Sequence, residues 1–254
     1  MDLHYYQSYL LLEMFPQLDY HQKTAVVTGS SSGIGRAISQ DLLSHGYKVI
    51  GLARDHKKFD PESKYYFPYE IDLTDFDRMV SLLKRILADH EEVNVLVSNA
   101  GFGKFQSLEN FSVKQIQSFL NLNLLSHILV CQILVRYFKK KMGGDIIIMG
   151  SESGVLGKKK STLYSAAKFG LRGFSQALRD EVGSSDIRVC LINPGMVRSP
   201  FFDDLNFYPG ENFENAIETS DIAAVVTDIL AMRRGTIIDE VNLSPAKKVI
   251  VFNR

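Results

Sequence analysis

Short apolar runs that alternate with helix-periodic stretches limit most strongly how this chain can fold. The runs are Thr24–Thr28 (TAVVT), Lys48–Leu52 (KVIGL), Val93–Ser98 (VNVLVS), Asp145–Met149 (DIIIM) and Arg188–Ile192 (RVCLI), with a weaker one near Tyr65–Ile71. They are rich in β-branched residues and nearly continuous, which suits strands buried on both faces. Between them lie helical patterns. In one, Phe119, Leu122, Leu125, Leu129 and Ile133 recur at spacings of three and four, an apolar stripe along a long helix. Strand and helix in alternation mean βαβ units, and right-handed crossovers wind these into one parallel sheet. The expected fold is α/β, a doubly wound parallel sheet in three α/β/α layers. Residues 23–254 offer no good internal boundary and read as one domain, and residues 1–22 read as an aromatic-rich extension packed against it.

Charge and cysteine usage narrow the function. Lys+Arg and Asp+Glu are both 29, so the formal net charge is +0, which argues against a protein built to grip nucleic acid or anionic membranes. Cys131 and Cys190 are far apart, with no CxxC and no nearby histidine partner, so neither a disulfide scaffold nor a metal site is expected. No apolar run approaches the ~18 residues of a membrane span. The N-terminus has no basic region and is interrupted by Glu13 and Pro16, unlike a secretory signal. The expectation is a soluble, cytoplasmic protein.

The first run leads directly into Thr28-Gly29-Ser30-Ser31-Ser32-Gly33-Ile34-Gly35, followed by a helical stretch ending at Gly46. Glycines in such a turn let the backbone approach a pyrophosphate, whose charge is met by the helix N-terminus. A glycine-rich turn alone can also be an ordinary βα connection. Here a strand precedes it, a helix follows, and a second strand ends about twenty residues on, the context a dinucleotide site requires. The spacing is GxxxGxG, and here the chain resembles the short-chain dehydrogenase/reductase family, whose fingerprint is TGxxxGxG, from Thr24 to about Ser199. The resemblance implies a Rossmann fold and a nicotinamide cofactor lying along Gly29, Ser31, Ser32, Gly33, Ile34 and Gly35. Arg54 ends the second run where an NAD-dependent enzyme would carry an acid. A guanidinium there can grip a 2′-phosphate, so NADP(H) is the expected cofactor, with NAD(H) possible. Asp55 opposes this, and His56, Lys57 and Lys58 offset it in part. By the same resemblance, Asp72 with Leu73 meets the adenine, and Ser98-Asn99-Ala100-Gly101 stands for the family's NNAG.

Tyr164 and Lys168 are four apart in a helix-compatible stretch, so their side chains share a face. A nearby ammonium is expected to lower the phenol pKa toward working pH, as a proton donor to a ketone requires. Ser151 lies thirteen residues before Tyr164, the family's spacing between catalytic serine and tyrosine. Ser153 is the rival, but the S-x-x-G frame favours Ser151. Asn123 matches the family's fourth catalytic residue, an asparagine holding a water for proton relay, with Asn121 as its competitor. Asn193-Pro194-Gly195 through Val197 to Ser199 resembles the PGxxxT loop that seats the carboxamide. The resemblance therefore implies hydride transfer between NADP(H) and a carbonyl or secondary alcohol, with Tyr164 as general acid/base and Lys168 also holding the nicotinamide ribose. A non-catalytic nucleotide sensor of the same fold is the alternative.

Substrate identity is not carried by these motifs. Residues 200–220 place Phe201, Phe202, Phe207, Tyr208 and Phe213 among turn residues, consistent with either a mobile lid or a loop that buries aromatics. Phe102, Phe105, Val155 and Leu156 suggest an apolar wall, and Lys158-Lys159-Lys160 read as a solvated face. The C-terminal segment looks like that of members acting on small 3-hydroxy acids. Small polar carbonyls and bulkier apolar ones both remain open. Members commonly form dimers or tetramers through the two long helices, here about 112–142 and 163–182, so a homo-oligomer is expected.

Overall fold

The computed structural model describes residues 23–57 and 59–253. The reading of residues 1–22 as a packed extension lies outside the described residues, as does Lys58. The elements are β1 (Thr24–Thr28), α1 (Gly33–Ser44), β2 (Lys48–Ala53), β3 (Tyr66–Glu70), α2 (Phe76–Asp89) and β4 (Val93–Ser98). There follow α3 (Val113–Leu120), a π-helical turn (Asn121–Leu125), α4 (Ser126–Lys141), β5 (Gly144–Met149), α5 (Thr162–Val182) and β6 (Ile187–Pro194). The last part holds β7 (Val197–Arg198), β8 (Phe207–Pro209), β9 (Ile217–Glu218), α6 (Thr219–Ala231), β10 (Glu240–Leu243) and β11 (Ile250–Phe252).

Seven strands form one sheet in the order β10-β6-β5-β4-β1-β2-β3, every pair parallel. The doubly wound reading is met, and the physical reason is visible along each strand. Successive side chains face opposite layers, so a strand buried on both sides feeds two cores. Val26, Leu96, Ile146 and Ile148 point to one core, filled from α2, α4 and α5 by Leu83, Leu134, Phe138 and Leu171. Their neighbours Val27, Val97 and Ile147 point to the other, filled from α1 and α6 by Ile38, Leu42 and Val226. Strand order reverses between β1 and β4, and the crevice at their carboxyl ends is where ligands of such sheets bind.

The helix read over 112–142 is corrected in one respect. It is not a single α-helical stripe, because Asn121–Leu125 form a π turn. The extra residue shifts the phase of everything after it. Phe119 is therefore buried beside Tyr164 in a small cluster of its own, whereas Leu122, Leu129 and Ile133 pack against the main core and Leu125 is exposed. Among the described residues this composite helix, Val113–Lys141, is long and apolar enough to cross a membrane by length and composition, but much of it is buried within the fold.

Candidate active site

Thr28 ties the two sides of the crevice together. Its hydroxyl accepts from the amides of Asn99 (2.8 Å) and Ala100 (3.0 Å), and its carbonyl accepts from Asn99 Nδ2 (2.9 Å). Gly29 follows with φ +68°, a left-handed backbone that favours glycine, and its amide donates to the Leu52 carbonyl at 2.7 Å. A Cβ on Gly35 would stand 2.6 Å from Asn99 Nδ2 and nearer still to the Gly29 carbonyl oxygen. The side chain of Ser32, at the N-cap of α1, makes no capping bond and the first turn holds no acid, so these amides face the crevice without an anionic partner of their own. Ser31 is half-buried, Ile34 packs into the core, and a Cβ on Gly33 would lie 3.6 Å from Ser199 Cβ. The loop after β6 thus closes against the glycine turn. That cradle fits the pyrophosphate of a dinucleotide.

At the end of β2, Arg54 is exposed. Asp55 turns its carboxylate back onto the amide of Lys57 at 2.7 Å, and so opposes an anion less directly than the sequence suggests. Asp72, exposed after β3, accepts from the Thr74 amide (2.9 Å) and hydroxyl (2.7 Å). These bonds hold its carboxyl below the ordinary range, with the Arg54 charge adding to them. Leu73 beside it is buried. Beneath the glycine turn, a chain unread in the sequence runs from Ser30 Oγ to Tyr66 Oη (3.0 Å) and on to His56 Nδ1 (3.1 Å).

Ser151, Tyr164 and Lys168 come together at the carboxyl edge of β5, all buried. Lys168 Nζ lies 5.9 Å from the Tyr164 ring centre while donating to the Met149 carbonyl at 2.9 Å, and the Ser151 side chain acts on the Tyr164 phenol in the direction that favours its charged form. Ser153 serves instead as a donor, its amide bonding Ser151 Oγ at 3.1 Å. Asn193 seats the serine by accepting from the Ser151 amide at 3.2 Å, and is itself fixed by Glu240 (2.8 Å) and Asn242 (3.0 Å) on β10. Pro194 and Val197 are buried behind this site, and the Gly195 amide donates to the Leu243 carbonyl at 2.8 Å.

One expectation is reversed. The phenol of Tyr164 is not lowered but pushed up to about 12, because burial disfavours phenolate more than the Ser151 bond favours it, with the Glu152 charge adding to the rise. Burial also pulls the Lys168 ammonium down to about 8. Two groups that each charge at a desolvation cost cannot be read from a four-residue spacing alone.

Asn123 is fully buried at the π turn. Its Oδ1 accepts from the Phe102 amide (3.2 Å) and its Nδ2 donates to the Phe119 carbonyl (3.1 Å), so the side chain is bound to protein on both ends. A Cβ on Gly101 would stand 2.8 Å from that oxygen. One turn on, His127 reaches the same loop. Its Nε2 lies 2.9 Å from the Ala100 carbonyl, and its Nδ1 lies 2.8 Å from Ser98 Oγ. A carbonyl can only accept, so Nε2 carries the proton and Nδ1 accepts from the serine. Burial and the nearby Lys168 charge lower His127 to about 3, and the ring is neutral. Ser98, a departure from the family's asparagine, is thus the partner of a histidine that the sequence reading passed over. A lone His in an otherwise apolar helix, four residues after Asn123, was the available signal.

A short chain dehydrogenase profile matches residues 23–207. The chain is 35% identical over 186 residues to the 3-oxoacyl-[acyl-carrier-protein] reductase FabG of Escherichia coli, covering 72% of this chain and 76% of that one. Among solved structures, a metagenomic short-chain oxidoreductase in complex with NADP is 28% identical with a TM-score of 0.77, covering 89% of this chain and 98% of that one. The alcohol dehydrogenase of the archaeon Thermococcus sibiricus, complexed with 5-hydroxy-NADP, shares the fold at a TM-score of 0.80 and 24% identity, with coverage of 89% and 98%. By the length of the profile match and the identity to a curated reductase, the chain belongs to the short chain dehydrogenase family.

Proposed function

We propose that this protein is an NADP(H)-preferring oxidoreductase interconverting a carbonyl and a secondary alcohol, with residues 23–254 as one catalytic domain and 200–220 as its substrate loop. The observation that carries this reading is the meeting of Ser151, Tyr164 and Lys168 beside a backbone-lined cradle. The metagenomic relative solved with NADP and the reductase name of the Escherichia coli relative support it. NADPH, when bound, supplies the hydride. The chain supplies the rest. Gly29, Ser31, Ser32, Gly33, Ile34 and Gly35 hold the pyrophosphate; Asp72 and Leu73 border the adenine. Asn99, Ala100 and Gly101 support the nicotinamide end, and Pro194, Gly195, Val197 and Ser199 seat its carboxamide. Ser151 directs the carbonyl oxygen toward Tyr164, whose phenol, kept protonated by burial, donates its proton to that oxygen. Lys168 holds the nicotinamide ribose and steadies the phenolate left behind. Asn123 fixes the π turn from which a water connects Lys168 to solvent. The test is a panel of carbonyls and alcohols read by NADPH absorbance; no turnover across the panel would reject the enzyme reading.

Arg54 is the proposed 2′-phosphate ligand. NADPH should exceed NADH in kcat/KM, and Arg54→Asp should shrink or reverse that order by exchanging attraction for repulsion. A wild type that uses NADH better would pass control to Asp55.

A homodimer or homotetramer, acting in the cytoplasm on a small-molecule carbonyl or alcohol without nucleic acid or membrane, completes the proposal. The π turn before α4 and the face of α5 support the assembly: Leu125 is 37% and Phe169 43% exposed, and Phe174 on α5 is half-buried. Light scattering at micromolar concentration should give a multiple of 28.6 kDa. A monomeric mass would reject it.

A further inference from the structure

The proposed chemistry places a carbonyl at Tyr164 and Ser151 and says nothing of what that carbonyl carries. The walls do. Three phenyl rings surround the Tyr164 ring, with centroids at 5.0 Å (Phe105), 6.0 Å (Phe201) and 6.2 Å (Phe119). They arrive from three separate parts of the chain, the loop after β4, the end of α3 and the segment after β7. The apolar rim continues outward through Phe102, Val155 and Leu156, each more than a third exposed.

A second tier closes the cage from behind. Phe207 on β8 touches Phe105 at 5.2 Å, and Phe252 on β11 touches Phe207 at 6.2 Å. The two strands pair antiparallel with Phe252 opposite Phe207. Asn253 adds a bond to the Asn206 carbonyl (2.9 Å) and another to the Leu205 carbonyl (3.1 Å). Part of the segment read as lid or packing loop is therefore one strand of a two-stranded ribbon, completed by β11, whose Phe207 packs on Phe105 beside Tyr164. Two cations near the serine, Lys158 and Lys248, both bond the Glu152 carboxylate, and the buried Lys168 bonds the Met149 carbonyl.

We infer that the substrate is an uncharged carbonyl compound bearing an aromatic or bulky alicyclic group, seated against the half-buried Phe105 and Phe201, with the buried Phe119 behind them, beside the β8–β11 ribbon. This rests on the oxidoreductase reading above. Rings lining a site favour flat apolar groups packed edge-to-face or offset, while a carboxylate placed among them loses water without gaining a partner.

The experiment sets acetophenone and 1-tetralone against hydroxyacetone, acetoacetate and the acetoacetyl thioester of N-acetylcysteamine. Each is assayed for kcat/KM with NADPH and for binding to the protein–NADPH complex by cofactor fluorescence. The aryl ketones should lead by about tenfold or more, the scale of one well-filled apolar pocket. Phe252→Ser should raise KM for 1-tetralone by roughly 3–10-fold and leave the dissociation constant of NADPH unchanged, since the lost ring backs Phe207, which in turn packs on Phe105. Higher kcat/KM for hydroxyacetone, acetoacetate or the thioester would overturn the inference and leave the reductase reading standing. Binding of the aryl ketones without turnover of any carbonyl would do the reverse. Failure of the aryl ketones to bind overturns the inference outright.

Discussion

Tyr164→Phe should cut carbonyl reduction by at least ~10²–10⁴, the usual contribution of a positioned general acid. The phenyl ring keeps its contacts with Phe105, Phe119 and Phe201, so the fold and NADPH binding should survive. Lys168→Met should also suppress turnover, and should in addition weaken NADPH binding, because that ammonium is proposed to hold the ribose. The pH profile separates the two groups further. A phenol near 12 stays protonated throughout the working range, whereas an ammonium near 8 loses its proton inside it. Reduction by the wild type should therefore be level at neutral pH and decline above about pH 8. In Lys168→Met the residual rate should lose that decline. Full activity in a folded Tyr164→Phe variant, judged by circular dichroism, would reject the mechanism.

Gly35→Ala should remove cofactor binding at a position no cofactor chemistry involves. The added Cβ would lie 2.6 Å from Asn99 Nδ2 and closer to the Gly29 carbonyl, so the glycine turn and the Asn99 loop must separate. Neither can yield cheaply. Both are held by Thr28, and the Gly29 amide is bound to Leu52. Overpacking of this kind costs about 1–3 kcal/mol in a well-packed interior. For a chain of this size each kcal/mol lowers Tm by about 2–4 °C. The melting temperature should fall by several degrees, and saturating NADPH, which stabilises the wild type, should no longer raise it. Gly183→Ala is the control: it sits at φ −55° with nothing within 4 Å of a Cβ, and should leave both measurements unchanged or slightly improved. Equal damage from both substitutions would reject the cradle reading.

That the strands would form a parallel sheet covered by helices on both faces was legible because burial on both sides demands apolar residues without interruption, whereas the spatial order of the strands came only with the structure. Thr24–Thr28 and Val93–Ser98 carry that demand in their composition alone. The glycine turn was equally legible, since close backbone contact leaves glycine as the residue that fits. The Tyr164–Lys168 pairing followed from helical period.

What the sequence by itself determined about this protein is what period and local sterics encode: the alternation of strand and helix, the glycine turn, and the shared face of Tyr164 and Lys168 on α5. Only the tertiary structure decided the rest, since those properties depend on residues brought together from distant parts of the chain. Burial, not neighbour spacing, sets the Tyr164 and Lys168 protons, and burial is a sum over every element packed around them. His127 finds Ser98 and Ala100 across the crevice, 29 and 27 residues away in the chain. The pairing of Phe252 with Phe207 depends on β11 returning to β8, a contact with no local signature because two short exposed strands are specified only by each other.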